Sequence, residues 1–232
     1  MSIGRYRLVG SRWGLPVIEV VAVNVGTPKV LVDRSDQRVY SAIAKEPVPT
    51  GTTLWLSTGN LAGDAQADLS VHGGPDKAVY AYPSEHLAAW EADLDETLGP
   101  AAFGENLSTL GPVESDVAIG DVWQWDDAVL QVCQPRWPCF KLALHRRRPD
   151  IQGRMRATGR TGWYLRVLEP GEVTVGSVIS VAARDIAGLT VADAHHAMGD
   201  RRLADRDLVE ALAGHAALAD EWREPLRERL DR

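Results

Sequence analysis

Of the two cysteines in this chain, Cys139 sits where its sulfur could do chemistry. It lies in Gln134-Pro-Arg-Trp-Pro-Cys-Phe-Lys141, where two prolines stiffen a loop and a helix is expected to begin beside the thiol. Arg136, Lys141 and the helix N-terminus would each favour a thiolate. A thiolate so placed is a nucleophile or a soft metal ligand, and a structural cysteine beside a proline turn is the plain alternative. Cys133, in a run of strand-forming residues, reads as a small buried hydrophobe. A second stretch is Val71-His-Gly-Gly-Pro-Asp-Lys77. Its paired glycines admit close backbone approach, Pro75 stiffens the loop, and Lys77 leads into the next strand. Such a loop can present N–H groups and a cation to an anion, although a turn between strands needs no ligand. A third, Ala102-Phe-Gly-Glu-Asn-Leu107, offers a carboxylate and an amide to a polar ligand. His72, His86, His145, His195 and His196 could in principle pair with Cys139, but spacing places none of them beside it. His195-His196 fall in an amphipathic helix as an exposed or satisfied pair. With no HExxH, no CxxC and no two-Cys-two-His spacing, a structural zinc site is not expected. Neither a P-loop nor a GxGxxG turn occurs, and pyridoxal phosphate binding is not expected.

These residues need a scaffold, and the first half of the chain supplies mostly strands. Val17–Val25, Leu54–Ser57 and Ala78–Tyr82 are short and rich in β-branched or aromatic residues. Ser84 can open a helix carrying Leu87, Trp90 and Leu94 at helical spacing. Asp116–Trp125 and Val129–Gln134 read as paired strands with Asp126-Asp127 at the turn. Beyond Pro138 the pattern is helical to about Gly159. Trp163–Leu168 and Val173–Ala183 return to strand, with Glu169-Pro-Gly-Glu172 between them. From Gly188 the character changes. Thr190 with Asp193 forms a capping box for one helix, Leu203–Ala213 makes a second, and Leu218, Trp222, Leu226 and Leu230 mark a third that Pro225 should kink. Three short helices bury little apolar surface alone, so they should dock on the body, on each other or on a partner. The fold class is mixed α+β, mainly β.

The whole chain sets the limits. At 232 residues, it suits one large domain with a small appendage. The net charge of −7 argues against a general nucleic-acid binder. Two cysteines exclude a disulfide-stapled scaffold, and no apolar run approaches the ~20 residues of a membrane span. Arg5, Arg7 and Arg12 are followed by no apolar leader segment, so a cytoplasmic location is expected. The charge is uneven: residues 136–166 carry nine basic side chains against Asp150, a net +8 that leaves −15 elsewhere. A basic island in an acidic protein suggests a local anion site, and a solvated arginine-rich helix face is the alternative.

Taken in order, His72-Gly-Gly-Pro-Asp-Lys77, Phe103-Gly-Glu-Asn-Leu107, Gly120-Asp121 and Gln134-Pro-Arg-Trp-Pro-Cys139 resemble the YiiM-type MOSC-domain proteins. Ser41-Ala-Ile-Ala-Lys45 upstream, and Gly162-Trp-Tyr164 with Pro170-Gly171 downstream, extend the resemblance. It implies a MOSC β-barrel-like body over 1–187, with its core at about 20–185, and a three-helix appendage over 188–232. It also implies a molybdenum cofactor, a pyranopterin dithiolene with molybdenum. Cys139 would be the molybdenum ligand and the catalytic residue. Arg136 and Lys77 would hold the cofactor phosphate, with Lys141 and some later arginines assisting. Asn106 would hydrogen-bond the cofactor or substrate, and His72 would line the site. The implied activity is reduction of N-hydroxylated compounds such as 6-N-hydroxylaminopurine to amines, a detoxification. With no flavin or nicotinamide signature and no iron–sulfur cysteines, the electrons would come from an external reductase of the flavoprotein class, which the tail could dock. No nucleic-acid polymer and no membrane partner are expected, and a homodimer is compatible. The competing readings are a cysteine-persulfide sulfur carrier or sulfurtransferase, and a non-catalytic cofactor-binding protein.

Overall fold

The computed structural model describes residues 6–8, 17–34, 37–68 and 73–232. In chain order the strands are β1 (Tyr6–Leu8), β2 (Val17–Val25), β3 (Lys29–Arg34), β4 (Gln37–Ser41), β5 (Glu46–Pro47), β6 (Thr53–Leu56), β7 (Val79–Pro83), β8 (Leu107–Leu110), β9 (Val122–Trp125), β10 (Ala128–Pro135), β11 (Trp163–Glu169), β12 (Gly171–Thr174) and β13 (Ile179–Asp185). The helices are α1 (Leu87–Leu94), α2 (Phe140–Arg146), α3 (Ile151–Thr158), α4 (Val191–Gly199), α5 (Arg206–Gly214) and α6 (Asp220–Leu230).

Strands β13-β9-β10-β11-β7-β8-β2 pair in that order, and β13 pairs again with β2, so seven strands close into a barrel. Closure removes the unpaired edges an open sheet would expose. Pairing is antiparallel except between β7 and β8, which run parallel because α1 carries the chain back between them. β2 shows the expected alternation, with Ile18 and Val20 turned inward and Val17 and Val21 outward. Inside the barrel Trp123 meets Trp163 edge to face, 5.8 Å between centroids. Outside it, Tyr80, Tyr82, Trp90 and Phe103 form a second apolar cluster with Leu142, Ile151 and Met155 of α2 and α3.

Two departures from the sequence reading have local causes. The helical stretch after Pro138 splits in two: Arg147 turns left-handed at φ 53, and Pro149 disfavours helix at the residue before it. The run Val173–Ala183 breaks at a turn whose Gly176 has φ 96, so β12 leaves to pair with β6 while β13 joins the barrel. The β3–β4 hairpin was not foreseen. The capping box is formed, with Thr190 Oγ1 accepting from Asp193 N at 3.0 Å. The third tail helix runs on through Pro225.

The tail docks on the body. Val191, Val209, Leu212, Trp222 and Leu226 belong to the same apolar cluster as the barrel interior, so the core continues across the turn at Gly188.

Candidate functional site

Strand pairing delivers the cysteine loop. β10 lies between β9 and β11, and beyond its end Arg136 N–H still donates to Gly162 O at 3.1 Å. Pro138 then redirects the chain, and half-buried Cys139, extended at φ −102 and ψ 169, immediately precedes α2. Arg136 is 5% exposed, its guanidinium carbon 5.3 Å from the centre of the Tyr80 ring. Burial pulls its pKa down, but Tyr80, Tyr164 and Cys139 outweigh burial and leave it raised. Arg136 and the Cys139 sulfur are therefore electrostatic partners.

A cavity of about 110 Å³ opens onto Cys139, with Lys45, Lys77, Arg136 and Lys141 on its wall against one carboxylate, Asp64. Lys45 Nζ and Asp64 Oδ1 form a buried ion pair. Burial lowers the Lys45 pKa, and Asp64 works against that shift. Asn106 also lines the cavity, but its amide is committed. Its Nδ2 donates to Asp64 Oδ2 at 2.9 Å and to Asn24 O at 3.2 Å, and its Oδ1 accepts from Tyr80 N at 3.1 Å. Both donors are spent, so Asn106 orders the Lys45–Asp64 pair instead of offering its N–H groups to a ligand. Glu105, 1% exposed, is likewise turned inward, accepting from Phe103 N and Ser108 Oγ, both at 3.0 Å. Burial raises its pKa.

A second cavity of about 440 Å³ adjoins the first and shares Lys77, Trp137, Cys139 and Tyr164 with it. Its far wall comes from the tail: Met198 and Arg201, then Glu221, Trp222 and Arg229. Glu221 Oε2 pairs with Lys77 Nζ at 2.6 Å, and its Oε1 accepts from Gln134 Nε2 at 2.7 Å. Trp137 and Trp222 meet edge to face with centroids 5.7 Å apart. Cys133 O accepts from Ala219 N at 3.0 Å, which fixes the start of α6 on β10.

The structure thus brings Cys139, Arg136, Lys77, Lys141 and Asn106 to one cavity, whereas His72 lies outside the described residues. The basic island is less concentrated than its sequence suggests. Arg146 pairs with Glu96, Arg148 and Arg154 with Asp150, Arg160 with Asp93, and Arg166 with Asp76. None of those arginines lines the Cys139 cavity. The remaining cations come from Lys45 and Lys77, far off in the chain. Lys45 and Tyr164 stand in stretches the resemblance had marked, without a role. Glu221 and Trp222 carried no sequence signal beyond one amphipathic helix. His195 is not an exposed residue either: its ring lies 5.7 Å from that of Trp137, and its Nε2 is buried without a partner.

The MOSC domain family model matches residues 68–180. The Bacillus subtilis protein YflK is 39% identical over 213 residues, 92% of this chain and 95% of that protein. The crystal structure of YiiM from Geobacillus stearothermophilus has a TM-score of 0.76 at 33% identity, covering 92% of this chain and 99% of that one. A Gibberella moniliformis protein named a reductase is 38% identical over 150 residues, 63% of this chain but 26% of its own length. Because the likeness to the first two takes in barrel, cysteine loop and helical tail alike, the chain belongs to the MOSC-domain family and is of the YiiM type.

Proposed function

We propose that this protein is a molybdenum cofactor-dependent reductase that converts N-hydroxylated compounds, of the N-hydroxylaminopurine type, to amines. The observation that carries the reading is one half-buried thiol facing a cavity walled by four cationic side chains. Among the described residues no three His, Cys, Asp or Glu side chains group as a metal site. A metal held by one protein thiolate takes its other ligands from outside the chain, and the cations suit an organic group that bears a phosphate. The residues present therefore fit the cofactor. Cys139 would be its protein ligand, and Lys77, Arg136, Lys141 and Lys45 would hold its anionic part. When bound, the cofactor supplies the two-electron chemistry of R–NH–OH + 2 e⁻ + 2 H⁺ → R–NH₂ + H₂O. The chain itself positions and encloses. Trp137 gives a planar base an apolar face, and the tail supplies the far wall of the outer cavity. Electrons come from an external reductase of the flavoprotein class. The name of the fungal relative supports the reaction class.

The test is metal content and pterin release for wild type, Cys139→Ala and Cys133→Ala, purified from a host that makes the cofactor. Reduction of 6-N-hydroxylaminopurine by an artificial donor is measured alongside. Wild type and Cys133→Ala are expected to carry molybdenum and turn over, and Cys139→Ala to do neither. Equal behaviour of the two variants would refute the ligand assignment. A metal-free wild type with a persulfide on Cys139 would make it a sulfur carrier, and a loaded but inactive one a cofactor-binding protein.

A further inference from the structure

The inner cavity and the outer one share four side chains, and these define the neck through which a substrate entering from the tail side would reach the sulfur. Three of the four already have tasks. Lys77 is paired with Glu221, the Trp137 ring lies against Trp222 and His195, and Cys139 is the sulfur itself. The fourth, Tyr164, carries a phenol and lines both cavities.

We propose that Tyr164 donates its phenolic hydrogen bond, and then its proton, to the oxygen of the substrate N–O bond. This assignment rests on the reductase reading above.

Placement comes first. Tyr164 sits on β11 between two partners, in register with Gln134 of β10 and Tyr80 of β7, and its ring is 5.2 Å from that of Tyr80. The positive charge of Arg136 acts on the phenol and works against burial, and the Tyr164 side chain lines both the inner and the outer cavity. Burial, the largest influence, holds the Tyr164 pKa up to about 12, so the O–H is intact at neutral pH.

The proton count then closes. The N–O bond breaks, and the two electrons arrive from the external reductase. One proton, taken from solvent, ends on nitrogen, while the hydroxyl oxygen takes the other from Tyr164 and leaves as water. Tyr164 regains its proton from water in the outer cavity.

Tyr164→Phe removes the hydroxyl and little else. In oxidised holoprotein without donor, where no turnover occurs, tryptophan fluorescence can compare binding of 6-N-hydroxylaminopurine with that of adenine, its amine product. Tyr164→Phe should retain molybdenum, lose on the order of fivefold to tenfold in preference for the N–OH compound, and lose at least about 100-fold in kcat with artificial donor. Unchanged preference and kcat in a metal-loaded variant would overturn the proposal. Loss of molybdenum in Tyr164→Phe would overturn it too, by making Tyr164 a cofactor-retention residue. A wild type that carries no metal or reduces nothing brings down the reductase reading first, and this proposal with it.

Discussion

Cys133 and Cys139 are six positions apart and chemically opposed. Cys139 faces a cavity, whereas Cys133 is fully buried on β10 and donates its S–H to Asp76 O at 3.2 Å. Burial pushes the Cys133 pKa from 9.0 up to about 12. The sign follows from linkage: above pH 9 the unfolded chain releases a proton that the folded chain keeps. The stability associated with this thiol is therefore complete below pH 9 and is lost as pH rises toward about 12. Under reducing conditions the urea midpoint of the wild type should fall through that window. Cys133→Ala should remove up to about 1.4 kcal/mol per pH unit of that slope. Identical alkaline slopes would show that another group titrates.

At the scale of elements, the start of β11 holds the site together. Gly162 has φ 64, and a Cβ there would lie 2.3 Å from Ala81 O on β7. Its N–H donates to Glu114 Oε1 at 2.7 Å, and its carbonyl accepts from Arg136 N. Gly162→Ala must part β7 from β11 just where Tyr164 and Arg136 are hung. The expected result is destabilisation of about 1–3 kcal/mol together with reduced molybdenum content, read by denaturant unfolding and elemental analysis. Normal occupancy with lowered stability would separate this joint from the site. Gly104 is constrained in the same way, since at φ 82 a Cβ would meet Ile43 Cγ1 at 2.5 Å. The cysteine motif and the Phe103–Leu107 motif are thus legible in sequence partly because tight backbone turns impose their glycines and prolines. The break between β12 and β13 was not legible, because pairing of β12 with distant β6 and of β13 with the barrel decided it.

Across the whole molecule one apolar core joins barrel and tail, with Trp222 only 3% exposed. Calorimetry should accordingly show one unfolding transition, and Trp222→Ala should cost about 3–5 kcal/mol. Two resolved transitions would make the tail an independent unit. The same docking gives the site its outer wall. The sequence by itself determined the composition limits, the Thr190–Asp193 capping box and the mainly β character, because each depends on local backbone chemistry or on residue type, whereas Ser84 caps no helix. Only the tertiary structure decided which charges matter. Ion pairing dispersed much of the +8 island to Glu96, Asp150, Asp93 and Asp76, while barrel closure gathered Lys45, Lys77, Arg136 and Lys141 around one cavity. It also decided that Asn106 serves Asp64 and that Glu221 reaches Lys77 across 144 positions of chain. Contacts at such separations arise when the barrel closes and the tail packs against it, and no local pattern in the sequence encodes them.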